Sequence, residues 1–332
     1  MKAFVIDGYK RPVHAADIPA PTVGPDDVLV KVVAASVNPL DMLVRSGTFK
    51  QLLKYRFPLA LGHDVAGTVT QVGANVTAFA VGDEIYSRPR DLRIGTFAEY
   101  IAIDQRDVAH KPASLTFTEA AAVPLVALAA WQMLVETAHI GPGSRVLVHA
   151  GAGGLGSTAV QLAHHLGAHV AATAGASSID LVSSLGADEV IDYRTADFAD
   201  VVSGYDLVID AVGGENLLKS LTVLTPGGLA LGVTGPPDAG FARQLGAPKP
   251  LEWVLSAVSR SVRKAAKKNG VDYRFFFMHA DGARLAELAA LYDSGALRPI
   301  VDSVFGFDDT LDALAHVEAG KTTAGKVVIT HD

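Results

Sequence analysis

The chain has 332 residues, which is long for one hydrophobic core and predicts two domains. Its 28 lysines and arginines against 35 aspartates and glutamates leave a net charge of −7, so we expect neither nucleic acid nor an anionic membrane as a partner. There are no cysteines, so disulfides and any zinc site with thiolate ligands are excluded.

No apolar run follows a basic start in the first residues (MKAFVIDGYKRP), so we predict no signal peptide. The most apolar long stretch, 118–135, contains Pro124 and is followed by Glu136. It is short for a bilayer span, and a buried helix is the better interpretation. We therefore expect a soluble, cytoplasmic protein.

The first hundred residues are interrupted often by Gly and Pro and are rich in β-branched side chains. Three stretches read as strands: 28–34 (VLVKVVA), 67–72 (GTVTQV) and 96–103 (TFAEYIAI). Turn signals stand at 24–26 (GPD) and at 82–83 (GD). This pattern predicts a mostly β domain at the start of the chain.

From about Thr118 onward, helix-like and strand-like stretches alternate. The run 145–150 (RVLVHA) is almost continuously apolar, as expected of a parallel strand that is buried on both faces. The elements predicted after it are a helix at 157–166, a strand at 169–173, a helix at 179–185 and strands at 189–192, 206–210 and 228–233. Repeated units of this kind predict a doubly wound parallel sheet.

The segment 236–270 breaks this alternation. A helix is predicted within 248–268, and its second half carries five cations: Arg260, Arg263, Lys264, Lys267 and Lys268. Positive charge near a helix C-terminus complements the helix dipole, and we favour that interpretation over a phosphate or membrane contact. Beyond it we predict a strand at 273–278, whose three phenylalanines suit core packing, a helix at 282–292 and a strand at 326–330.

The sequence 151–156 (GAGGLG) has the spacing G-x-G-x-x-G, between a predicted buried strand and a predicted helix. Glycines let the backbone approach a pyrophosphate, and a helix N-terminus offers unpaired N–H groups and a positive dipole end. A glycine-rich turn that only packs helix on strand is the alternative. We predict a dinucleotide-binding loop with these contacts: Gly151, Gly153, Gly154, Leu155 and Gly156.

The end of the second strand of such a fold distinguishes NAD from NADP, since an acidic residue there binds the ribose of NAD. Here the strand is followed by 173–178 (TAGASS), with no acid before Asp180. A carboxylate would repel a 2′-phosphate, whereas the hydroxyl of Ser177 and free N–H groups can bind one, which favours NADPH. The nearest cation is Arg194, for which a solvated surface charge is the alternative interpretation.

A series of motifs follows one order along nearly the whole chain. They stand at 36–41, 45–47, 61–67, 81–83, 121–134, 149–156, 185–188, 190–193 and 325–328. No single motif is specific, but in order and spacing the set resembles the medium-chain dehydrogenase/reductase superfamily, in its zinc-free quinone oxidoreductase branch.

The resemblance implies an α/β protein in which a Rossmann doubly wound parallel sheet is inserted into a mostly β GroES-like domain. The GroES-like catalytic domain would comprise 1–117, completed by about 290–332, and the Rossmann cofactor-binding domain would comprise 118–289. The resemblance further implies that the nicotinamide faces Asn38 and Arg45, that Tyr193 contacts the 2′-phosphate, that Lys326 contacts the cofactor and that the protein is a homodimer.

Two residues depart from the pattern of the family. Ile179 stands where the family has a Lys after the second strand, and Ala129 replaces a common Thr before the phosphate loop. Both changes leave the fold and the hydride chemistry untouched and weaken selection for NADPH.

The segment 62–67 is similar to the G-H-E-x-x-G of zinc alcohol dehydrogenases, with Asp64 in place of Glu. His63 would then correspond to a catalytic zinc ligand, while Asn38 stands near the position of the cysteine ligand. His63 and Asp64 alone are a poor zinc site, so we predict no metal.

Hydride addition to an enone or a quinone leaves negative charge on a carbonyl oxygen. Zinc dehydrogenases stabilise that charge with a Lewis acid, whereas a conjugated acceptor spreads it over an enolate or a hydroquinone. We therefore predict an NADPH-dependent, zinc-independent oxidoreductase that transfers hydride to a quinone or an α,β-unsaturated carbonyl. Asn38 and Arg45 are candidates to line its catalytic site, and Tyr55 is a candidate proton donor or, alternatively, a surface aromatic.

Two other functions fit the sequence. An enoyl-thioester reductase of the same superfamily would need a channel for a carrier arm, for which the basic helix ending near Lys268 is the only indication. A non-catalytic NADP-binding protein, of the kind in which lens zeta-crystallins keep the fold, stays open because of the residues at 129 and 179.

Overall fold

The structure is a computed structural model that describes residues 1–331. The chain forms two compact units, of which the first comprises Met1–Leu128 with His279–Asp332 and the second Ala129–Met278. The boundaries predicted from the sequence are 117 and about 290. The helix that begins at Gly282 lies in the first unit, where Tyr86 Oη donates a hydrogen bond of 2.6 Å to the carbonyl of Leu285.

The first part of the chain is mostly strands, as its turn-rich sequence predicts. Its elements are β1 (Lys2–Ile6), β2 (His14–Asp17), β3 (Asp27–Val37), α1 (Pro39–Ser46), β4 (Leu59–Ala60), β5 (Asp64–Val72), β6 (Glu84–Ser87), β7 (Tyr100–Asp104), β8 (Val108–His110), α2 (Phe117–Ala121) and α3 (Pro124–Trp131). The apolar stretch 118–135 is thus two short helices and a π-helical turn, Gln132–Thr137. Most of its residues are buried, as predicted.

Strands and helices alternate in the second unit. Its elements are β9 (Arg145–Val148), α4 (Gly154–His165), β10 (His169–Ala174), α5 (Ile179–Ser184), β11 (Glu189–Asp192), α6 (Phe198–Val201), β12 (Tyr205–Asp210), α7 (Gly214–Ser220), β13 (Leu224–Gly232), α8 (Ala239–Gln244), α9 (Lys249–Val258), α10 (Arg260–Lys268) and β14 (Asp272–Phe275). The single helix predicted within 248–268 is therefore two helices, which meet at Ser259.

The last part of the chain returns to the first unit. Its elements are α11 (Gly282–Asp293), β15 (Val301–Gly306), α12 (Thr310–Glu318) and β16 (Lys326–Thr330). Within the described residues, no helix combines the length and the apolar character that crossing a bilayer requires.

The second unit is built on one six-stranded sheet in the order β11-β10-β9-β12-β13-β14. Every neighbouring pair is parallel, and the order reverses beside β9, as in a doubly wound sheet. Val146, Leu147 and Val148 of β9 are completely buried, because helices cover both faces of such a sheet. The predicted Rossmann fold is confirmed.

The first unit contains a seven-stranded sheet in which β15, β16, β3, β5, β6 and β8 follow one another and β7 pairs with β3. A smaller sheet has the order β2-β1-β4. Because β16 runs antiparallel to β3, Val327 pairs with Val37, and β5 places Asp64 opposite Ser36. The end of β3 and the starts of β5 and β16, which are far apart in sequence, are therefore neighbours at the same end of the sheet.

Candidate functional site

The phosphate loop connects β9 to α4 in the second unit. Gly153 is the N-cap of α4 and has no side chain to accept from the first N–H groups of the helix, which also lack intrahelical acceptors. A Cβ atom on Gly156 would lie 2.1 Å from the carbonyl oxygen of Ala150, and one on Gly151 would lie 2.9 Å from Ala172 Cβ. The loop thus needs glycine for its close packing and leaves backbone donors for an anion, so a pyrophosphate fits it.

A buried hydrogen-bond network fixes the start of this loop. His149 Nδ1 lies 3.1 Å from Thr173 Oγ1, and His149 Nε2 lies 2.9 Å from Ser220 Oγ. The same Thr173 hydroxyl accepts from the N–H of Ala150 at 3.2 Å. Burial lowers the pKa of His149 from 6.5 to about 4, so the imidazole is neutral at physiological pH and can accept at one nitrogen while donating at the other. Apart from the histidine itself, no sequence pattern predicts this network.

Arg194, Tyr193 and Gly175 meet beyond the end of β10, the second strand of the sheet. The guanidinium carbon of Arg194 lies 5.2 Å from the centre of the Tyr193 ring. Arg194 Nη1 is 2.9 Å from the position that a Cβ on Gly175 would take, so the cation lies against this turn. Ser177, two residues further along, is exposed, and Tyr193 is 58% exposed. The arrangement combines a cation, a phenol and a hydroxyl, which suits a phosphate group.

Asn38, Asp64 and Lys326 form a buried cluster in the first unit. Lys326 Nζ donates to Asn38 Oδ1 and, at 3.2 Å, to Asp64 Oδ2. Asn38 Nδ2 donates to the same Asp64 oxygen at 2.8 Å and to the carbonyl of Ser36 at 3.3 Å. The second Asp64 oxygen accepts from the N–H of Leu125 at 2.8 Å. Both ends of the Asn38 amide are therefore held by neighbouring protein groups.

Asp41 and His63 lie beside this cluster, also completely buried. Asp41 Oδ1 is 2.5 Å from His63 Nδ1 and accepts from the N–H of Gly62 at 3.1 Å. Asp41 Oδ2 accepts from the N–H of Asn38 at 2.8 Å, which fixes the first turn of α1. His63 Nε2 has no hydrogen-bond partner among the described residues.

Of the other two candidates for the catalytic site, Arg45 lies in the last turn of α1, at the opposite end of that helix from Asn38. Its guanidinium forms an ion pair of 2.6 Å with Glu318, so the structure does not bring Arg45 into the buried cluster. Tyr55 is buried rather than on the surface, and its hydroxyl donates no hydrogen bond among the described residues. Burial raises the pKa of the Tyr55 phenol well above its ordinary value; Asp91 and Asp41 have smaller effects in the same direction, and the N–H of Leu92 and the cation of Arg88 act in the opposite direction.

The donor groups around His63 do not fit a zinc ion. Asp64 already binds the ammonium of Lys326, and Asn38 offers an amide in place of a thiolate. No group of three or more His, Cys, Asp or Glu side chains suited to a metal occurs in the described part of the chain. The sequence assigned Lys326 to the cofactor, whereas its bonds within the first unit are to Asn38 and Asp64. The antiparallel pairing of β16 with β3 is what brings it there, and the order of strands in this sheet cannot be read from the sequence alone.

Comparison with protein families gives two matches. Residues 24–113 match the alcohol dehydrogenase GroES-like domain, and residues 185–329 match the zinc-binding dehydrogenase model.

Comparison with individual proteins gives matches over nearly the full chain. The mitochondrial NAD(P)H oxidoreductase RTN4IP1 of Mus musculus is 34% identical over 99% of this chain and 89% of its own length. The chloroplastic NADPH-dependent alkenal/one oxidoreductase of Arabidopsis thaliana is 34% identical over 95% of this chain and 74% of its own length. The quinone oxidoreductase of Coxiella burnetii has a similar structure, with a TM-score of 0.86 and 29% identity over 100% of this chain and 99% of that chain.

The buried His149 predicts how stability depends on pH. The unfolded chain has the ordinary pKa of 6.5 and the folded chain about 4, so the unfolded state binds more protons between these values. Stability that is present above pH 6.5 should fall as the pH decreases toward 4, by about 3 kcal/mol for this group. Urea unfolding at about pH 7 and pH 4.5 measures the loss.

The matched variant is His149→Gln, which keeps a donor and an acceptor but does not titrate. We expect its stability to depend less on pH over the same interval. His331, whose pKa burial also lowers to about 4, is unchanged in both proteins and cancels in the comparison. Identical pH profiles for the two proteins would contradict the role given to His149.

Removing the cation of the Asn38–Asp64–Lys326 cluster should destabilise the fold. Lys326→Met leaves the buried Asp64 carboxylate without its counter-charge, so we expect a loss of about 3–5 kcal/mol in the free energy of unfolding. The double variant Asp64→Asn/Lys326→Met removes both charges and should recover part of that loss. Urea unfolding of the two variants and the wild type checks this, and equal losses in the two variants would show that the pair is not coupled.

Proposed function

The chain belongs to the medium-chain dehydrogenase/reductase superfamily of oxidoreductases, and on that premise we propose that it is an NADPH-dependent reductase of α,β-unsaturated carbonyls or quinones that works without zinc. The observation that carries the proposal is the position of the Lys326 ammonium, bonded to Asn38 and Asp64. Asn38 stands near the position of the cysteine ligand of zinc dehydrogenases, and Asp64 follows His63, which corresponds to their histidine ligand. A substrate that disperses its own negative charge suits such a site, because no Lewis acid is required.

The second unit has groups suited to hold the cofactor. The first N–H groups of α4 would bind the pyrophosphate, with Gly151 and Gly156 keeping the loop closely packed. Arg194, Tyr193 and Ser177 would bind the 2′-phosphate, and no carboxylate at the end of β10 would repel it. The cofactor, when bound, supplies the hydride. In place of the cofactor contact that the resemblance implies for Lys326, we propose that Lys326 positions Asn38.

Tyr55, the proton-donor candidate from the sequence, is our candidate for a hydrogen-bond donor to the substrate. Its hydroxyl is buried and donates no hydrogen bond among the described residues, and its raised pKa favours hydrogen-bond donation over transfer of the proton. A phenol in this state can donate a hydrogen bond to a carbonyl oxygen as negative charge develops there. Arg45, engaged with Glu318, would support the position of α1 instead of contacting the substrate.

The names of the relatives support the substrate class. One is an alkenal/one oxidoreductase and another a quinone oxidoreductase, and both substrates are conjugated acceptors of the kind that the metal-free site suits. The homodimer and the cytoplasmic location stay predictions from the sequence. The two curated relatives described above carry the words mitochondrial and chloroplastic in their names.

The proposed activity predicts a pattern of turnover. NADPH oxidation should be measured with a quinone, a short enone and an enoyl thioester, each with and without a metal chelator. We expect turnover of the enone or the quinone that the chelator does not reduce. Turnover of the thioester alone would replace this proposal with an enoyl-thioester reductase, and binding of NADPH without turnover of any acceptor would indicate a non-catalytic protein.

The cation beside Gly175 predicts the preference for NADPH. Arg194→Ala removes a charge-assisted contact to the 2′-phosphate, so the Kd for NADPH should rise by roughly 10- to 100-fold, while the Kd for NADH should not change. Calorimetric titration without substrate measures both constants. Ile179→Lys, which introduces the family's residue, is the reciprocal variant and should lower the Kd for NADPH without changing the Kd for NADH. An equal rise in both Kd values in Arg194→Ala would contradict the assignment.

A further inference from the structure

The surface formed by α9 and α10 carries a feature that the oxidoreductase function does not use. We propose that this surface docks on a bilayer of anionic phospholipids, with Trp253 at the level of the headgroups and the cations of α10 on the lipid phosphates. The proposal stands on these two helices alone and does not depend on the cofactor or the substrate.

The apolar part of the surface is one face of α9. Trp253 is 71% exposed, Val254 54% and Val258 49%, and Ala257 is exposed as well. Residues four apart lie on the same side of a helix, so Trp253 and Ala257 are neighbours, and so are Val254 and Val258. An exposed indole beside aliphatic side chains is typical of helices that lie in the membrane interface.

The cations of α10 are not explained by the helix dipole. Because the helix breaks at Ser259, Arg260 is the first residue of α10 and Arg263 lies in its first turn, where the dipole disfavours positive charge. Only Lys267 and Lys268 lie in the last turn, so the interpretation made from the sequence covers two of the five cations. All five are exposed.

Charged and apolar groups are close together on this surface. Arg263 Nη2 donates to the carbonyl and to the hydroxyl of Ser256, both at 2.7 Å, and so lies over the last turn of α9. Ser256 follows Trp253 by three residues, which places the guanidinium beside the apolar face. Arg263 and Lys267 also line an open cavity of about 420 Å³, together with Asp272, so that a phosphate can reach both cations from solvent.

The charge balance selects an anionic partner. The segment 249–268 contains six cations and one acid, a net charge of +5 in a chain whose total is −7. The one acid, Glu252, is mostly buried and pairs with Lys249 at 2.9 Å and Arg243 at 3.5 Å. The net charge of the whole chain disfavours an anionic surface, whereas this local excess of positive charge attracts one and orients the protein on it. The adjoining indole favours lipid over nucleic acid, whose phosphates require no apolar face.

The test uses the full-length protein and vesicles of phosphatidylcholine with or without about 30% phosphatidylglycerol. We expect binding by flotation to be about tenfold stronger on the anionic vesicles and to weaken at high salt. We also expect the emission of Trp253 to shift to shorter wavelength, a shift that Trp253→Phe abolishes.

The charge variant is Lys264→Glu/Lys267→Glu/Lys268→Glu, and the apolar variant is Trp253→Ser/Val258→Ser. Each should reduce vesicle binding about tenfold or more without changing the melting temperature, because all five side chains are exposed. The matched control, Arg11→Glu/Lys50→Glu/Lys321→Glu, makes the same change in net charge at exposed residues of the first unit and should bind as the wild type does.

Three results would overturn the proposal. The first is equal binding of the wild type to neutral and anionic vesicles. The second is an equal loss of vesicle binding in the control and in the charge variant. The third is a change of subunit number in the apolar variant by analytical ultracentrifugation, since that would identify the face of α9 as an interface between copies of this chain.

Discussion

The first unit depends on the antiparallel pairing of its last strand, β16, with β3. This pairing places Lys326 next to Asn38, and the pairing of β3 with β5 places Asp64 next to both. A buried ammonium among an amide and a carboxylate is stable only when each group has its partners, so the three residues fix one another. The amide of Asn38 is consequently a rigid part of the site and not a free donor. The same ammonium makes the site unsuited to a divalent cation, and this is the physical basis of our proposal that the substrate stabilises its own charge.

Much of the second unit could be predicted from the sequence, because its signals are local. The apolar run of β9, the glycines at 151–156 and the helix after them are consecutive, and each follows from the pattern of neighbouring residues. The break between α9 and α10 at Ser259 was not predicted, because it has no local signal. Both sides of Ser259 have helical composition, and because no Pro or Gly stands at the junction, no local signal predicts two helices.

The candidate site could be predicted only in part, because its contacts join residues far apart in the chain. Motif matches named Asn38, His63, Asp64 and Lys326, but not the bonds among them, since these depend on strand order. Arg45 shows the limit of assigning a role by motif, because its ion pair with Glu318 depends on a helix near the other end of the chain. Arg194 is a different case, because its side chain lies against Gly175 and is also exposed. Both interpretations made from the sequence, a phosphate contact and a solvated surface charge, stay predictions.

The topology of the seven-stranded sheet also orders the folding of the chain during synthesis. β16 lies between β15 and β3, so the sheet stays incomplete until β16 has left the ribosome. The parallel sheet of residues 129–278 is contiguous in sequence and can close earlier. The earlier strands of the first unit therefore keep an unpaired edge while the middle of the chain folds. Unpaired strand edges are sites where chaperones bind and aggregation begins. The sheet of the first unit is therefore completed only after the second unit has been synthesised.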